Sequence, residues 1–311
     1  MKLKILIAVY NDWSSLDILL GEIYKKLNQT VWKNYEVYIV NDASTIEIPE
    51  KIKRKTKIIN LFNNIGSQGA ISIGVKYIQK KIDDMTHLLI MDSDGEDKPE
   101  DIVRLLDECK LNENKIVFAR RQKRRESILF RALHFTYKKI FKMLIGKDLD
   151  FGNFSCMTKT NLNKIVNINN LQTHYSASIL RSKIPFSKID CEKGFRIEGS
   201  SKLNFWKHFA HALMSLSVFV DLIAIKFFFI SLVGIVLSII SAITIFIMKL
   251  YFPKILLGIA SNILLSLAII TIVLFLISLF SLIIFLNNKN QNYSPSNKSI
   301  DHLIENVEDL S

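Results

Sequence analysis

Three cysteines in 311 residues, Cys109, Cys156 and Cys191, form neither a close pair nor a metal-ligand spacing. Their scarcity excludes a disulfide-stapled scaffold and a cysteine zinc site, and it fits a reducing compartment. None of the six histidines has metal spacing either. The first ten residues carry too short an apolar core for a secretory signal and run directly into Asn11-Asp12. No internal repeat and no low-complexity tract precedes residue 226. Charge is absent from two stretches, residues 227–247 and 255–286. Each reaches the ~20 apolar residues that a helix needs to cross a bilayer, so two buried core helices are the weaker reading. The second stretch is longer than a bilayer core requires and is expected to tilt or to extend into the interface.

The charge that is present is lopsided, with 41 Lys and Arg against 29 Asp and Glu, a formal net charge of +12. Basic residues crowd Arg120-Arg121-Gln122-Lys123-Arg124-Arg125 and Lys138-Lys139, ahead of both apolar stretches. A basic domain tethered to two spans points to the anionic cytoplasmic leaflet. Nucleic acid, the rival partner for such charge, is set aside by the spans. The chain therefore reads as an integral membrane protein whose basic domain, with any catalytic part, is cytoplasmic. Two spans return the chain, which places the tail at 287–311, polar and then acidic, on the same side. Lys249 and Lys254 in the short outer loop run against the positive-inside rule.

Ahead of the spans, apolar runs alternate with helical patterns. Strands are expected at residues 4–9, 35–40, 57–62, 87–91 and 116–119. Helices are expected over 16–27, capped by Ser14 or Ser15, from the Asn64-Ile65-Gly66 turn to about Lys81, and between the fourth and fifth strands. That alternation implies an α/β fold with a mostly parallel sheet. An amphipathic basic helix follows at 128–144, and a partly apolar one at 205–219 is expected to lie in the membrane interface.

Three of these strands end in polar turns: Asn11-Asp12, Asn41-Asp42 and Asp92-Ser93-Asp94. Ligands of open α/β sheets bind just outside the carboxyl ends of the strands. The most pronounced turn is Leu88-Leu89-Ile90-Met91-Asp92-Ser93-Asp94-Gly95-Glu96-Asp97-Lys98-Pro99, where a buried strand runs into alternating carboxylates. Oxygen-only ligands favour a hard divalent ion, Mg²⁺ or Mn²⁺, which would also hold a substrate diphosphate. A solvated acidic turn capping the next helix is the alternative.

Four motifs in order carry a family resemblance. Val9-Tyr10-Asn11-Asp12, Val40-Asn41-Asp42-Ala43-Ser44, Asn64-Ile65-Gly66-Ser67-Gln68-Gly69-Ala70 and Met91-Asp92-Ser93-Asp94-Gly95-Glu96 resemble those of an inverting family 2 glycosyltransferase. With its two spans the chain is similar to the polyprenyl-phosphate glycosyltransferases. The resemblance implies a Rossmann-like GT-A catalytic domain over 1–202, an interfacial helix over 203–225, a two-helix membrane unit over 226–286 and the tail at 287–311. It implies a nucleotide-sugar donor held by Tyr10, Asp12, Asp42, Gly66 and Asp92, and a Mg²⁺ or Mn²⁺ ion on Asp92 and Asp94 with Glu96 as a third ligand. A polyprenyl phosphate acceptor would meet Arg120, Arg131 and Ser201; guanidinium groups grip phosphate with paired hydrogen bonds. Arg121 and the basic residues after it read as a solvated or lipid-facing patch. Arg196 and Lys202, in a loop similar to the family's Arg-x-x-Gly-x-Ser-Lys, would stabilise the leaving diphosphate where charge develops.

The sequence departs from the family at Asp150-Phe151-Gly152-Asn153-Phe154-Ser155, where an expected arginine is missing. Asp150 would be a general base if the acceptor were a sugar hydroxyl; a phosphate, already ionised, needs none. The rivals are transfer to a glycan or glycolipid hydroxyl, and a silent nucleotide-sugar binder that organises partners. Two spans per chain are also compatible with a homo-oligomer in the bilayer.

Overall fold

The computed structural model describes residues 2–53, 56–121, 128–192, 194–197, 205–252, 258–292 and 300–309; side chains at 128–132, 134, 205, 207–208, 259–260 and 288–292 lie outside the description. In chain order the elements are β1 (Lys2–Val9), α1 (Trp13–Leu27), β2 (Asn34–Asn41), α2 (Glu50–Lys53), β3 (Lys57–Leu61), α3 (Gly66–Gln79), β4 (Thr86–Asp92), α4 (Glu100–Leu111), β5 (Ile116–Arg121) and α5 (Ile128–Ile145). There follow β6 (Ser155–Thr158), α6 (Lys159–Ile165), α7 (Tyr175–Ser182), β7 (Phe186–Cys191), α8 (Phe205–Ser217), α9 (Val220–Tyr251), α10 (Gly258–Asn292) and β8 (Ile304–Asp309).

Among the described residues one eight-stranded sheet runs β7-β5-β6-β4-β1-β2-β3-β8. The β4-β1-β2-β3 centre is parallel, and β6 and β8 are antiparallel to their neighbours. The five expected strands all form, because each is an apolar run long enough to be buried on both faces. In β1, Leu3, Ile5, Ile7 and Val9 join the core under α1 and α4, with Leu16, Leu19, Leu20 and Ile23 of α1 and Leu105 and Leu106 of α4. Leu6 faces the opposite way, against α3. A Cβ at Gly74 of α3 would stand 2.4 Å from Leu6 Cδ1, so glycine lets that helix approach the sheet.

Register aligns the site. Ala8 of β1 lies opposite Val40 of β2 and opposite Asp92 of β4. The turns after β1, β2 and β4 therefore leave the sheet along one edge, as the three polar turns implied.

The tail holds a surprise. Residues 304–309 form β8, which pairs with β3 from Lys57↔Asp309 to Leu61↔Ile304. Instead of trailing from the last long helix, this tail closes one side of the sheet.

The chain divides into two compact units. The first contains the sheet; the second comprises residues 140–147 and 219–296. In the second unit α9 and α10 pack together, with Phe228 and Phe275 rings 5.0 Å apart. The carbonyl of Leu144, at the end of α5, accepts from Lys226 Nζ at 2.6 Å, a cation placed at a helix C-terminus. Both long helices are long and apolar enough to cross a membrane, and only 6% of each apolar window is buried within the chain.

Candidate active site

The β1 and β2 turns are laced together. Asn11, with φ of 54°, is a residue type that tolerates the left-handed region. Its Oδ1 accepts from Thr45 N (2.8 Å) and Ile46 N (3.1 Å), and its own N donates to Ser44 Oγ (3.0 Å). Asp12, two residues ahead of Ser14, holds the N-cap position of α1 and accepts the Ser15 hydroxyl at 2.8 Å.

Asp42 is 2% exposed. Its two carboxylate oxygens accept from Ile65 N (2.8 Å) and Gly66 N (2.9 Å), at the start of α3. Burial raises its carboxyl, partly offset by those two amides. The structure thus uses Asp42 to bracket the Asn64-Ile65-Gly66 turn onto β2, and Gly66 contributes its amide to that bracket. Tyr10, 44% exposed, stands at the mouth of the β1 turn.

The acidic turn after β4 is held from three sides. Asp97, nearly fully buried, accepts from Asp92 N at 3.0 Å through one oxygen and from Arg121 Nη2 at 2.6 Å through the other. Asp94 Oδ1 accepts from Glu96 N at 3.0 Å. The segment 194–197 lies on the turn, with Ile197 N donating to Asp94 O (3.0 Å) and Gly194 N to Glu96 O (2.9 Å). Gly95 is required here twice over. Its φ is 80°, and an added Cβ would fall 2.4 Å from Ile197 Cγ1.

Arg196 draws the turns together. Its Nη2 donates to Asp12 Oδ2 at 3.0 Å and its Nη1 to Asp94 Oδ2 at 3.4 Å. Three expected site residues from distant parts of the chain thus meet in one bridge.

Other expected residues have other partners. Glu96 turns to Arg121 (Oε2 to Nη1, 3.0 Å), and among the described residues no three His, Cys, Asp or Glu side chains gather as a metal-ligand group. Arg120 pairs with Asp190 at 2.5 Å and Asp150 at 3.8 Å. Arg121, next along the strand, faces oppositely and lies in the acidic turn rather than in a solvated patch. Asp150 is taken up by Lys188 at 2.6 Å as well as by Arg120. The Arg131 side chain, Ser201 and Lys202 lie outside the described residues.

Asn153, in the segment that lacks the family arginine, donates to Asp92 Oδ1 at 3.2 Å and accepts from Gln68 Nε2 at 3.3 Å. Gln68 in turn accepts from Tyr175 N at 2.6 Å. Sequence reasoning passed over both amides, since Asn and Gln announce no chemistry by type alone.

The sequence profile of the family "Glycosyl transferase family 2" matches residues 4–170, more than half of the chain. The chain belongs to glycosyltransferase family 2. An uncharacterized glycosyltransferase of Synechocystis sp. is 27% identical over 228 residues, 68% of each chain. Another, YkcC of Bacillus subtilis, is 29% identical over 50% of this chain, so the chain matches about half (49%) of that relative's length. Among solved structures, mannosyl-3-phosphoglycerate synthase from Rubrobacter xylanophilus shares the fold with TM-score 0.51 and 12% identity, over 70% of this chain and 72% of its own. Glucosyl-3-phosphoglycerate synthase from Mycobacterium tuberculosis, in complex with Mn²⁺, UDP-glucose and phosphoglyceric acid, does so with TM-score 0.52 and 8% identity, over 71% and 79%.

In this family 2 enzyme the electrostatics of the turn suit a cation. Burial first, then the charges of Asp97 and Asp94, push the Asp92 carboxyl up to about 7. Burial also raises Asp94, despite the Glu96 amide and Arg196. Carboxylates two residues apart, desolvated and mutually repelling, gain from a shared hard cation. Two carboxylates suffice for an ion that takes its remaining oxygens from substrate phosphates and water. Asp92 and Asp94 fit that role, and Glu96 beside them pairs with Arg121.

Proposed function

We propose that this glycosyltransferase moves a sugar from a nucleotide-diphosphate donor to polyprenyl phosphate at the cytoplasmic face of a membrane, inverting the anomeric centre. One conjunction carries the reading. The Asp92–Asp94 turn of a family 2 glycosyltransferase belongs to the same chain as two long helices whose apolar windows are only 6% buried. Helices that apolar and that uncovered call for lipid rather than a protein core. The β3–β8 pairing supports the topology. The chain before α9 and the chain after α10 share one sheet, so a crossing by the two helices must go out and back.

Two features favour a phosphate-headed lipid over a hydroxyl acceptor. Lys138, Lys139 and Lys142 on α5 are exposed and form a basic surface suited to anionic headgroups. Asp150, engaged by Lys188 and Arg120, fits an acceptor that arrives ionised and needs no base.

In the reaction, an acceptor phosphate oxygen attacks the anomeric carbon while the bond from that carbon to the donor diphosphate breaks, its electron pair leaving on the phosphate oxygen. A divalent ion bound at Asp92 and Asp94, Mg²⁺ or Mn²⁺, would neutralise that developing charge. Arg196, already bridging Asp12 and Asp94, supplies a second positive charge to the departing group. Asp12 and Tyr10 flank the donor, and Asp42 fixes the turn against which it rests. Arg121 holds the acidic turn rigid through Asp97 and Glu96, so that little reorganisation accompanies charge transfer.

The acceptor is tested by supplying membranes that contain the protein with a panel of labelled nucleotide sugars and, in parallel, polyprenyl phosphate, the unphosphorylated polyprenol or glycan acceptors. Label entering only the phosphorylated lipid supports the reading. Label entering glycans instead identifies a hydroxyl-acceptor enzyme, and donor binding without turnover identifies a silent binder.

A further inference from the structure

The tail strand reaches the donor edge of the sheet through a line of amides. Asn60 of β3 is 7% exposed, and both of its amide hydrogens are spent on β8: Nδ2 donates to Asn306 Oδ1 (2.6 Å) and to Glu308 Oε1 (2.8 Å). Its Oδ1 accepts from Asn41 Nδ2 at 2.8 Å. Asn41, 8% exposed, closes β2, and its own Oδ1 accepts from Ser44 N at 3.0 Å. Ser44 Oγ then accepts from Asn11 N. The series runs from the last strand of the chain to the β1 and β2 turns without a gap.

An amide can be flipped, and its direction is set by its partners. Each member here constrains the next. Two acceptors on β8 force the Asn60 NH₂ toward the tail, which leaves its oxygen for Asn41. That in turn orients the Asn41 NH₂ toward Asn60 and its oxygen toward Ser44. Ser44 lies two residues after Asp42 and next to Ala43, whose φ of 53° is strained for a non-glycine residue and persists only where surrounding structure enforces it. The edge is also pinned by the Phe62 N to Leu303 O bond (3.2 Å) and by Lys57 with Asp309 (3.2 Å).

We propose that Asn306 and Glu308 of the C-terminal strand, acting through Asn60 and Asn41, are positioning residues for the donor-nucleotide turn. This rests on the reading that the β1–β2–β4 edge binds a nucleoside diphosphate. None of the four need touch the donor. They set the conformation of residues 41–44, and the segment that completes the donor site is the one that returns from α10. A sequence that ends before β8 loses the orientation of Asn60, and with it the preference for one amide rotamer at Asn41.

The test uses the full chain in lipid nanodiscs, with UDP and GDP as probes. Replacing Asn306 and Glu308 together by alanine is expected to weaken binding of whichever nucleotide the parent protein binds by about five- to tenfold, the scale of a lost buried hydrogen bond. The double substitution Asn306→Asp with Glu308→Gln, which keeps both acceptor oxygens, is expected to bind within about twofold of the parent. Thermal unfolding and near-ultraviolet circular dichroism accompany each variant. Equal loss in the alanine and the acceptor-preserving variants, or a fall in melting temperature with unchanged nucleotide affinity, overturns the proposal and leaves the tail a structural edge. Should the parent protein bind neither UDP nor GDP, the donor-site reading falls, and this inference falls with it.

Discussion

At the residue scale, the pair Arg120 and Arg121 shows how far type and order can go. The sequence places two arginines at the end of a strand, and alternation requires them to face opposite ways. Which one enters the site depends on where the strand's neighbours lie, which no local pattern encodes. The structure spends Arg121 on Asp97, whose side chain is only 1% exposed. Removing one partner of such a pair leaves a buried charge uncompensated. Arg121→Ala is therefore expected to lower stability by about 3 kcal/mol, read as a drop in unfolding midpoint, whereas Arg120→Ala, whose side chain is 42% exposed, should cost under about 1 kcal/mol.

His174 makes a second prediction at this scale. It caps α7 by accepting from Ala177 N, and burial, aided by the charge of His211, lowers its imidazole to about 3. The folded chain keeps it neutral while the unfolded chain protonates it below about pH 6.5. The unfolded state then binds more protons, so stability is full above pH 6.5 and falls as pH drops toward 3, by no more than about 1.4 kcal/mol per pH unit. His174→Asn keeps an acceptor for the cap and removes the titration. Melting temperatures taken from pH 7 to pH 4 should fall less steeply in that variant.

At the element scale, β1 to β5 were legible because buried parallel strands must be written as apolar runs. The other strands were not. β6 has four residues, and β7 mixes charge with apolar side chains. β8, Ile304-Glu305-Asn306-Val307-Glu308-Asp309, reads as solvent-exposed, since an edge strand is held by backbone bonds and here by the buried amide of Asn60. The site was half legible for the same reason. Carboxylates at strand ends stand out, while Asn153 and Gln68, which hold Asp92 in place, look like any loop amide. The 194–197 segment adds a prediction. Gly95→Ala must displace Ile197 and strain a left-handed turn, so it is expected to loosen Arg196 and cut the transfer rate by tenfold or more, on the order of 1.4 kcal/mol, with the protein still folded by circular dichroism.

For the whole molecule, the sequence already separated a basic α/β part from two uncharged spans, and the structure returns the tail to the sheet as its last strand. The central claim is that Asp92 and Asp94 hold a divalent ion against a donor diphosphate whose sugar passes to a membrane lipid. It is tested most directly by one comparison. Membranes carrying the parent protein or Asp94→Ala are given labelled nucleotide sugar, polyprenyl phosphate and Mn²⁺, with and without a chelator, and label in the lipid phase is counted. The account predicts label with the parent protein and Mn²⁺, its loss on chelation, and a fall of about a thousandfold in the variant, about 4 kcal/mol of transition-state stabilisation. Lipid label that survives both the chelator and Asp94→Ala would contradict it.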